Sequence, residues 1–187
     1  VSSTFYQPMG LSRITYNPLK KFDKSEIIPT ENDKTFRKQL VHGYVHDQGA
    51  AMMDGIGGHA GLFSNATDLA ALMQMLLNYG EYGGKRYLSE AVIKEFTRCQ
   101  FCENDNRRGL GFDKPQMDYS KTGPTCKCVS SLSFGHTGFT GTIAWVDPDQ
   151  KLIYVFLSNR VYPDAENKKI NTLATRVEIQ EAIYDLL

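Results

Sequence analysis

The segment from Phe134 to Arg160, FGHTGFTGTIAWVDPDQKLIYVFLSNR, constrains the fold more than any other part of the chain. Two runs rich in β-branched and aromatic residues, Thr140 to Val146 and Leu152 to Leu157, flank the polar Asp147-Pro148-Asp149-Gln150. Pro148 fixes the φ of a turn there, so the segment reads as a β-hairpin. Leu152 to Leu157 is continuously apolar rather than alternating, the pattern of a strand covered on both faces in the middle of a sheet. Its partner opens with His136-Thr137-Gly138, a small polar cluster with glycine at the mouth of a buried hairpin, where a ligand can approach the backbone.

Helical patterns lie before it. From Ser64, a good N-cap, Leu69, Leu72, Met73 and Leu76 recur at three- and four-residue spacing, Asp68 suits the positive end of the helix, and Gly80 ends it. Met73 and Met75 read as core filler. Ser89 caps a shorter helix that turns Val92, Ile93 and Phe96 inward and ends near Arg98. Arg107 to Phe112 reads as a short glycine-containing strand, with its arginines either recognising an anion or forming surface charge beside Asp113 or Glu103. After the hairpin, Ile170, Leu173, Ala174, Val177, Ile183 and Leu186 mark one amphipathic terminal helix.

Residues 1–40 are broken by Pro8, Gly10, Pro18 and Pro29 and read as extended loop, and the mixed charges from Lys20 to Lys38 as solvated surface. Three divisions follow: a loop-rich segment 1–63, helices over 64–98, and sheet strands with a terminal helix over 107–187. Gly55-Ile56-Gly57-Gly58-His59-Ala60 fits a relaxed dinucleotide pattern, but no strand precedes it and the helix starts too late, so its glycines serve a tight bend.

Composition sets limits on partners. The 187 residues, 41% hydrophobic and 11% aromatic, make a single-domain length able to bury a sizeable core. Twenty-one basic residues balance twenty-one acidic ones, so no global field gathers nucleic acid or anionic lipid, and no apolar run reaches the length of a membrane span. A small-molecule, peptide or glycan partner fits better. The cysteines fall as Cys99-x-x-Cys102 and Cys126-x-Cys128, which admits a zinc site, disulfides or free thiols. His42 and His46, four apart, would share a helix face and, with His59 or Asp47, could hold zinc; Gly43 between them and the lack of an adjacent glutamate favour a loop held by hydrogen bonds from His46 and Asp47.

Three stretches together carry a family resemblance. His136-Thr137-Gly138 before a strand, with a hairpin, Ser158-Asn159-Arg160 and a terminal helix behind it, resembles the third motif of the serine β-lactamase and penicillin-binding-protein superfamily, usually Lys-Thr-Gly. Phe5-Tyr6-Gln7-Pro8-Met9-Gly10-Leu11 and Gly58-His59-Ala60-Gly61-Leu62-Phe63-Ser64 with the residues to Ala70 are similar to two segments of its class C β-lactamase-like branch, in the family's order. The VHDQGA and GHAGLFS stretches are similar to serine-hydrolase modules fused behind family 3 glycoside hydrolases. Lys121-Thr122-Gly123 copies the commonest third-motif letters, but Pro124 follows and has no N–H to offer.

The resemblance implies an α/β-type (α+β) fold with an antiparallel sheet flanked by helices, and acyl transfer to a serine and then to water. It implies that the backbone N–H of Phe139 donates to the oxyanion hole, that His136 and Thr137 orient substrate with His59 beside them, and that Gly138 leaves room for it. No cofactor is implied, and the parent protein is expected in the periplasm or at the cell surface. Neither Ser-x-x-Lys nor Tyr-x-Asn occurs in these residues, so the chain reads as the C-terminal portion of such a hydrolase, inactive alone, with an apolar edge through which it could dimerise. Three rivals remain: a non-catalytic glycan- or peptide-binding module, a zinc hydrolase on His42, His46 and His59, and a cysteine hydrolase pairing Cys126 or Cys128 with His136.

Overall fold

A computed structural model describes residues 1–187. In chain order the elements are β1 (Thr15–Tyr16), β2 (Pro29–Asp33), β3 (Gln39–His42), α1 (Gln48–Met52), β4 (Leu62–Phe63), α2 (Ala66–Leu77), β5 (Glu81–Tyr82), β6 (Lys85–Arg86), α3 (Glu90–Thr97), β7 (Phe134–Thr137), β8 (Ile143–Asp147), β9 (Leu152–Phe156), α4 (Lys169–Thr172) and α5 (Thr175–Tyr184).

The expected hairpin is present as β8 and β9, paired from Ile143 with Phe156 to Asp147 with Leu152. Its surroundings differ from expectation. His136 and Thr137 close a separate strand, β7, which pairs with β8 from Phe134 with Val146 to Thr137 with Ile143. The sheet order is β7-β8-β9, so the middle strand is β8, and the continuously apolar β9 lies at the edge. Its composition follows from two covered faces. Side chains alternate across a strand. Ile143, Trp145 and Tyr154 pack with Ile183 of α5 on one face, while Phe134, Val146, Ile153 and Val155 pack with Met73 and Leu69 of α2 on the other.

The other face of α2 carries Met75 into a second core with Met9, Leu11 and Ile14. The helix is thus covered on both sides, by the sheet and by the N-terminal segment. Asn65, not Ser64, is its cap, accepting the Asp68 N–H at 2.9 Å, and the Asp68 carboxylate in turn accepts the N–H of Arg13. Gly80, at φ +96°, returns its N–H to the Met75 carbonyl and closes the helix as expected. On α3 the Ser89 cap is as expected, but only Ile93 of the three apolar residues is buried; Val92 and Phe96 stay exposed.

The N-terminal region departs furthest from the sequence reading. Instead of an extended loop it holds the hairpin β2–β3, and β1 pairs with β4. The charged stretch is not all solvated, because Glu31 and Asp33 are buried and share Arg37. No strand forms over Arg107–Phe112; only Asp113 bridges to Gly135 of β7. The terminal helix is split in two at Ala174, whose φ of +48° interrupts the helical path. No helix is long and apolar enough to cross a membrane.

Candidate active site

Between the β2–β3 side of the molecule and the β7–β8 turn lies an open cleft of about 1260 Å³. Gly138, Phe139 and Ser158 form one wall; His46, Asp47 and His59 stand on the other. The turn is fixed by its own backbone: Gly138 N–H donates to Thr142 O at 2.9 Å and Gly141 N–H to Gly138 O at 3.0 Å. A Cβ at Gly138 would run into Thr142 Oγ1, which would have to move.

Backbone groups alternate in direction along a strand. Gly135 exchanges both of its hydrogen bonds with Asp113, on the side of β7 away from β8, whereas Gly138 bonds inward to Thr142. Alternation therefore turns Thr137 toward the outer edge, and Phe139 follows it as the second residue of the turn closed by Gly141. The Phe139 N–H donates to no acceptor in the protein. Its carbonyl is held, accepting Arg160 Nε–H at 2.8 Å, and Arg160 N–H donates to Thr140 O at 2.9 Å.

The Phe139 ring has two close neighbours. The Arg160 guanidinium lies 4.4 Å from its centroid, and the His46 imidazole stacks at 5.0 Å with 12° between planes. His46 Nδ1 is 3.0 Å from Glu31 Oε1 but off the line of a hydrogen bond. Glu31 also accepts from Arg37, whose guanidinium donates to Asp33, to Val45 O and to His46 O. Asn159 ties the sheet to this network by donating to Pro29 O and Thr30 O. Little in the local sequence points to this network. An aspartate and arginine four apart in a charged run were the only local sign.

His136 sits one step outside the cleft, exposed, with both ring nitrogens engaged. Nδ1–H donates to Thr137 O at 2.7 Å, which leaves Nε2 to accept from Arg108 Nη1 at 2.9 Å. Arg107 takes the other partner foreseen, pairing with Asp113 at 2.9 Å. His59 borders the cleft 2.9 Å from Asp47, whose carboxyl is held below the usual range, first by the Ala50 N–H and then by His59. Asp47 thus caps α1 and binds His59.

The rival metal site is not assembled. His42 bonds to Ile27 O, His46 meets Glu31 and His59 meets Asp47, and no group of three or more His, Cys, Asp or Glu is placed to hold a metal ion. The four cysteines form the disulfides Cys99–Cys102 and Cys126–Cys128, which removes both the zinc and free-thiol readings and leaves neither Cys126 nor Cys128 as a nucleophile beside His136.

Comparison with known proteins identifies the family. A beta-lactamase family model matches residues 1–178. Proteins of Salmonella paratyphi B and Salmonella newport, provisionally described as D-alanyl-D-alanine carboxypeptidases, are 36% identical over 183 residues, 91% of this chain. The chain spans 42% of their length. Among solved structures, a beta-lactamase from Mycobacterium bovis superposes with a TM-score of 0.56 at 20% identity, covering 98% of this chain and 54% of its own. A penicillin-binding protein homolog from Caulobacter crescentus gives 0.52 at 21% identity, over 83% of this chain and 44% of its own. These two share the fold, a helix-flanked antiparallel sheet, and the match of the family model along nearly the whole chain carries the assignment further: this chain belongs to the beta-lactamase family.

Proposed function

We propose that the chain supplies the oxyanion side of a serine acyl-transfer site, and that the nucleophile and its base come from a part of the protein beyond these residues. The observation that carries the reading is the Phe139 N–H, which lacks a protein acceptor at the wall of the cleft while its own carbonyl is pinned by Arg160. A donor fixed before reaction is what a developing alkoxide requires, since no reorganisation is then needed as charge appears. As serine Oγ adds to the substrate carbonyl carbon, the carbonyl oxygen gains the negative charge, and Phe139 N–H donates to it. Such a donor contributes about 3 kcal/mol in comparable sites.

The Thr137 end of β7, beyond the Asp113 bridge at Gly135, can receive an extended acyl segment, with Gly138 keeping the wall clear. His136, Thr137 and the guanidinium of Arg108 favour a carboxylate at that end. A peptide ending in a free carboxylate, such as a D-alanyl-D-alanine-terminated cell-wall fragment, satisfies both features, and the description of the Salmonella relatives points the same way. Histidine in place of lysine fits a peptide or ester substrate as well as a β-lactam. Two disulfides suit an oxidising, exported setting.

The test is to express the chain joined to its upstream half and to follow labelling by a fluorophosphonate or fluorescent penicillin. A serine upstream should be labelled, and the 187-residue chain alone should not. Phe139→Pro deletes the N–H and should lower the acylation rate by about a hundredfold or more, whereas Phe139→Ala keeps the donor and should stay within about tenfold. Equal rates for the two variants would remove Phe139 from the mechanism. Absence of any reactive serine would leave a binding module.

A further inference from the structure

We propose that Cys99–Cys102 is a reversible thiol–disulfide exchange site whose redox state determines whether Arg108 stays on His136. Both disulfides of the chain are local, with sequence separations of 3 and 2. The entropy that a cross-link removes from the unfolded chain grows with the loop it closes, so neither bridge is a useful staple. Their surroundings differ. Cys126 is buried, and its N–H donates to the buried Gln180 side chain. Cys102 is exposed and Cys99 partly so, which leaves the Cys102 sulfur open to an attacking thiolate.

The position of the bridge ties it to the site. It links the two ends of the short segment leaving α3 and entering a tight turn. Gln100 N–H donates to Arg108 O at 2.9 Å, Asn106 N–H to Phe101 O at 3.3 Å, and Asp105 N–H to Cys102 O at 3.1 Å. The return arm of this turn delivers Arg108, whose Nη1 donates to His136 Nε2. The bridge therefore braces the outgoing arm against which the arginine-bearing arm is hung. Cys99 follows the C-terminal end of α3, so no helix N-terminus stabilises a thiolate there.

The exchange is balanced with a dithiol reductant, small or protein-borne. One thiolate of the reductant attacks Cys102 Sγ, the Cys99–Cys102 bond breaks, and Cys99 leaves as thiolate and is protonated. The reductant's second thiolate then attacks its own sulfur in the mixed disulfide and releases Cys102, which is protonated in turn. Two electrons pass to the chain, and the reductant departs as a disulfide. With the brace open, Arg108 leaves His136, and the positive charge at the end of β7 is no longer fixed. The functional consequence rests on the proposed role of His136 in placing a substrate carboxylate.

The test reads His136 directly. Long-range ¹H–¹⁵N spectra of ¹⁵N-histidine-labelled chain are recorded oxidised, after equilibration with dithiothreitol, and after reoxidation, in wild type and in Cys126→Ser/Cys128→Ser. The His136 Nε2 resonance should shift on reduction and return on reoxidation in both proteins, and Arg108→Ala should give the reduced position without reductant. An unmoved resonance once alkylation and mass mapping show Cys99 and Cys102 reduced overturns the proposal, as does finding both thiols free before any reductant is added. Because the readout is a chemical shift, failure of the serine probe in the longer protein would sink the acyl-transfer reading and leave this result standing.

Discussion

Arg37 has the most consequential side chain on the N-terminal wall of the cleft. Nearly buried, it spreads its donors over Asp33, Glu31 and the carbonyls of Val45 and His46, so one guanidinium fixes the β2–β3 hairpin and the loop that presents His46 to Phe139. Buried ions are tolerated only when fully paired, and here removal of either sign strands the other. Asp33 is held far below the usual carboxylate range, foremost by the Arg37 N–H, with the N–H groups of Phe36 and Thr35 and the Arg37 side chain adding to it against the upward push of burial. A depressed folded-state value means stability that is complete above the unfolded value, about pH 4, and lost as pH falls below it. Asp33→Asn should therefore cost about 2 to 3 kcal/mol at pH 7 in urea unfolding, with the gap to wild type closing below pH 4. A gap that stayed constant down to pH 2.5 would mean that the carboxylate charge is not what matters. None of this was readable from Lys20 to Lys38, because interspersed charges look alike whether they face water or each other. The strand register that turns Glu31 and Asp33 inward is set by pairing with residues 39–42.

At the scale of elements, the sequence was informative where the signals are local and silent where they are relational. The caps of α2 and α3, the glycine stop of α2 and the β8–β9 turn all rest on residues within a few positions, and each was placed to within one residue. β7 was folded into its neighbour because Phe134-Gly135-His136-Thr137 has no strand pattern of its own and becomes a strand only by pairing with Ile143–Val146. The edge position of β9 was equally invisible, since two covered faces give an apolar run at an edge or in the middle. The terminal helix shows the same division. Its apolar spacing predicted one helix, yet Ala174 breaks it, and α5 is anchored by polar contacts: Tyr184 O–H donates to Asp147 at 2.7 Å and Tyr154 O–H to Arg176 O at 3.0 Å. Asp147 also accepts from the Ser130 N–H and O–H, so it joins the helix, β8 and the preceding loop. Tyr184→Phe keeps the ring and removes one charge-assisted bond, and should lower stability by about 1.5 kcal/mol while leaving the helix content of the far-ultraviolet spectrum unchanged. An unchanged unfolding midpoint would show that packing alone holds α5.

The molecule as a whole is organised so that two of its three buried clusters share α2, Met75 filling one and Met73 the other, and loss of either face should unfold both. A single transition makes the pH dependence of that unfolding interpretable. Lys114 dominates the alkaline side. Its ammonium donates to Leu132 O at 3.0 Å, but burial pushes its pKa down to about 8, only partly countered by the Asp147 charge. The unfolded chain holds that proton to about pH 10.4. Between these values the unfolded state binds the extra proton, so stability rises with pH by up to about 1.4 kcal/mol per pH unit. Above pH 10 the sign reverses, because Tyr184, raised first by burial and then by Asp147, keeps a proton that the unfolded chain gives up. Lys114→Met carries no titrating group at this position. Measured against it by urea unfolding from pH 7 to pH 10, wild type should gain steadily above pH 8, and parallel curves would show that the Lys114 amine is ionised alike in both states. Lys114, Asp147 and Tyr184 do not line the cleft, so this alkaline gain should leave the Phe139–His46 stack as it is at neutral pH.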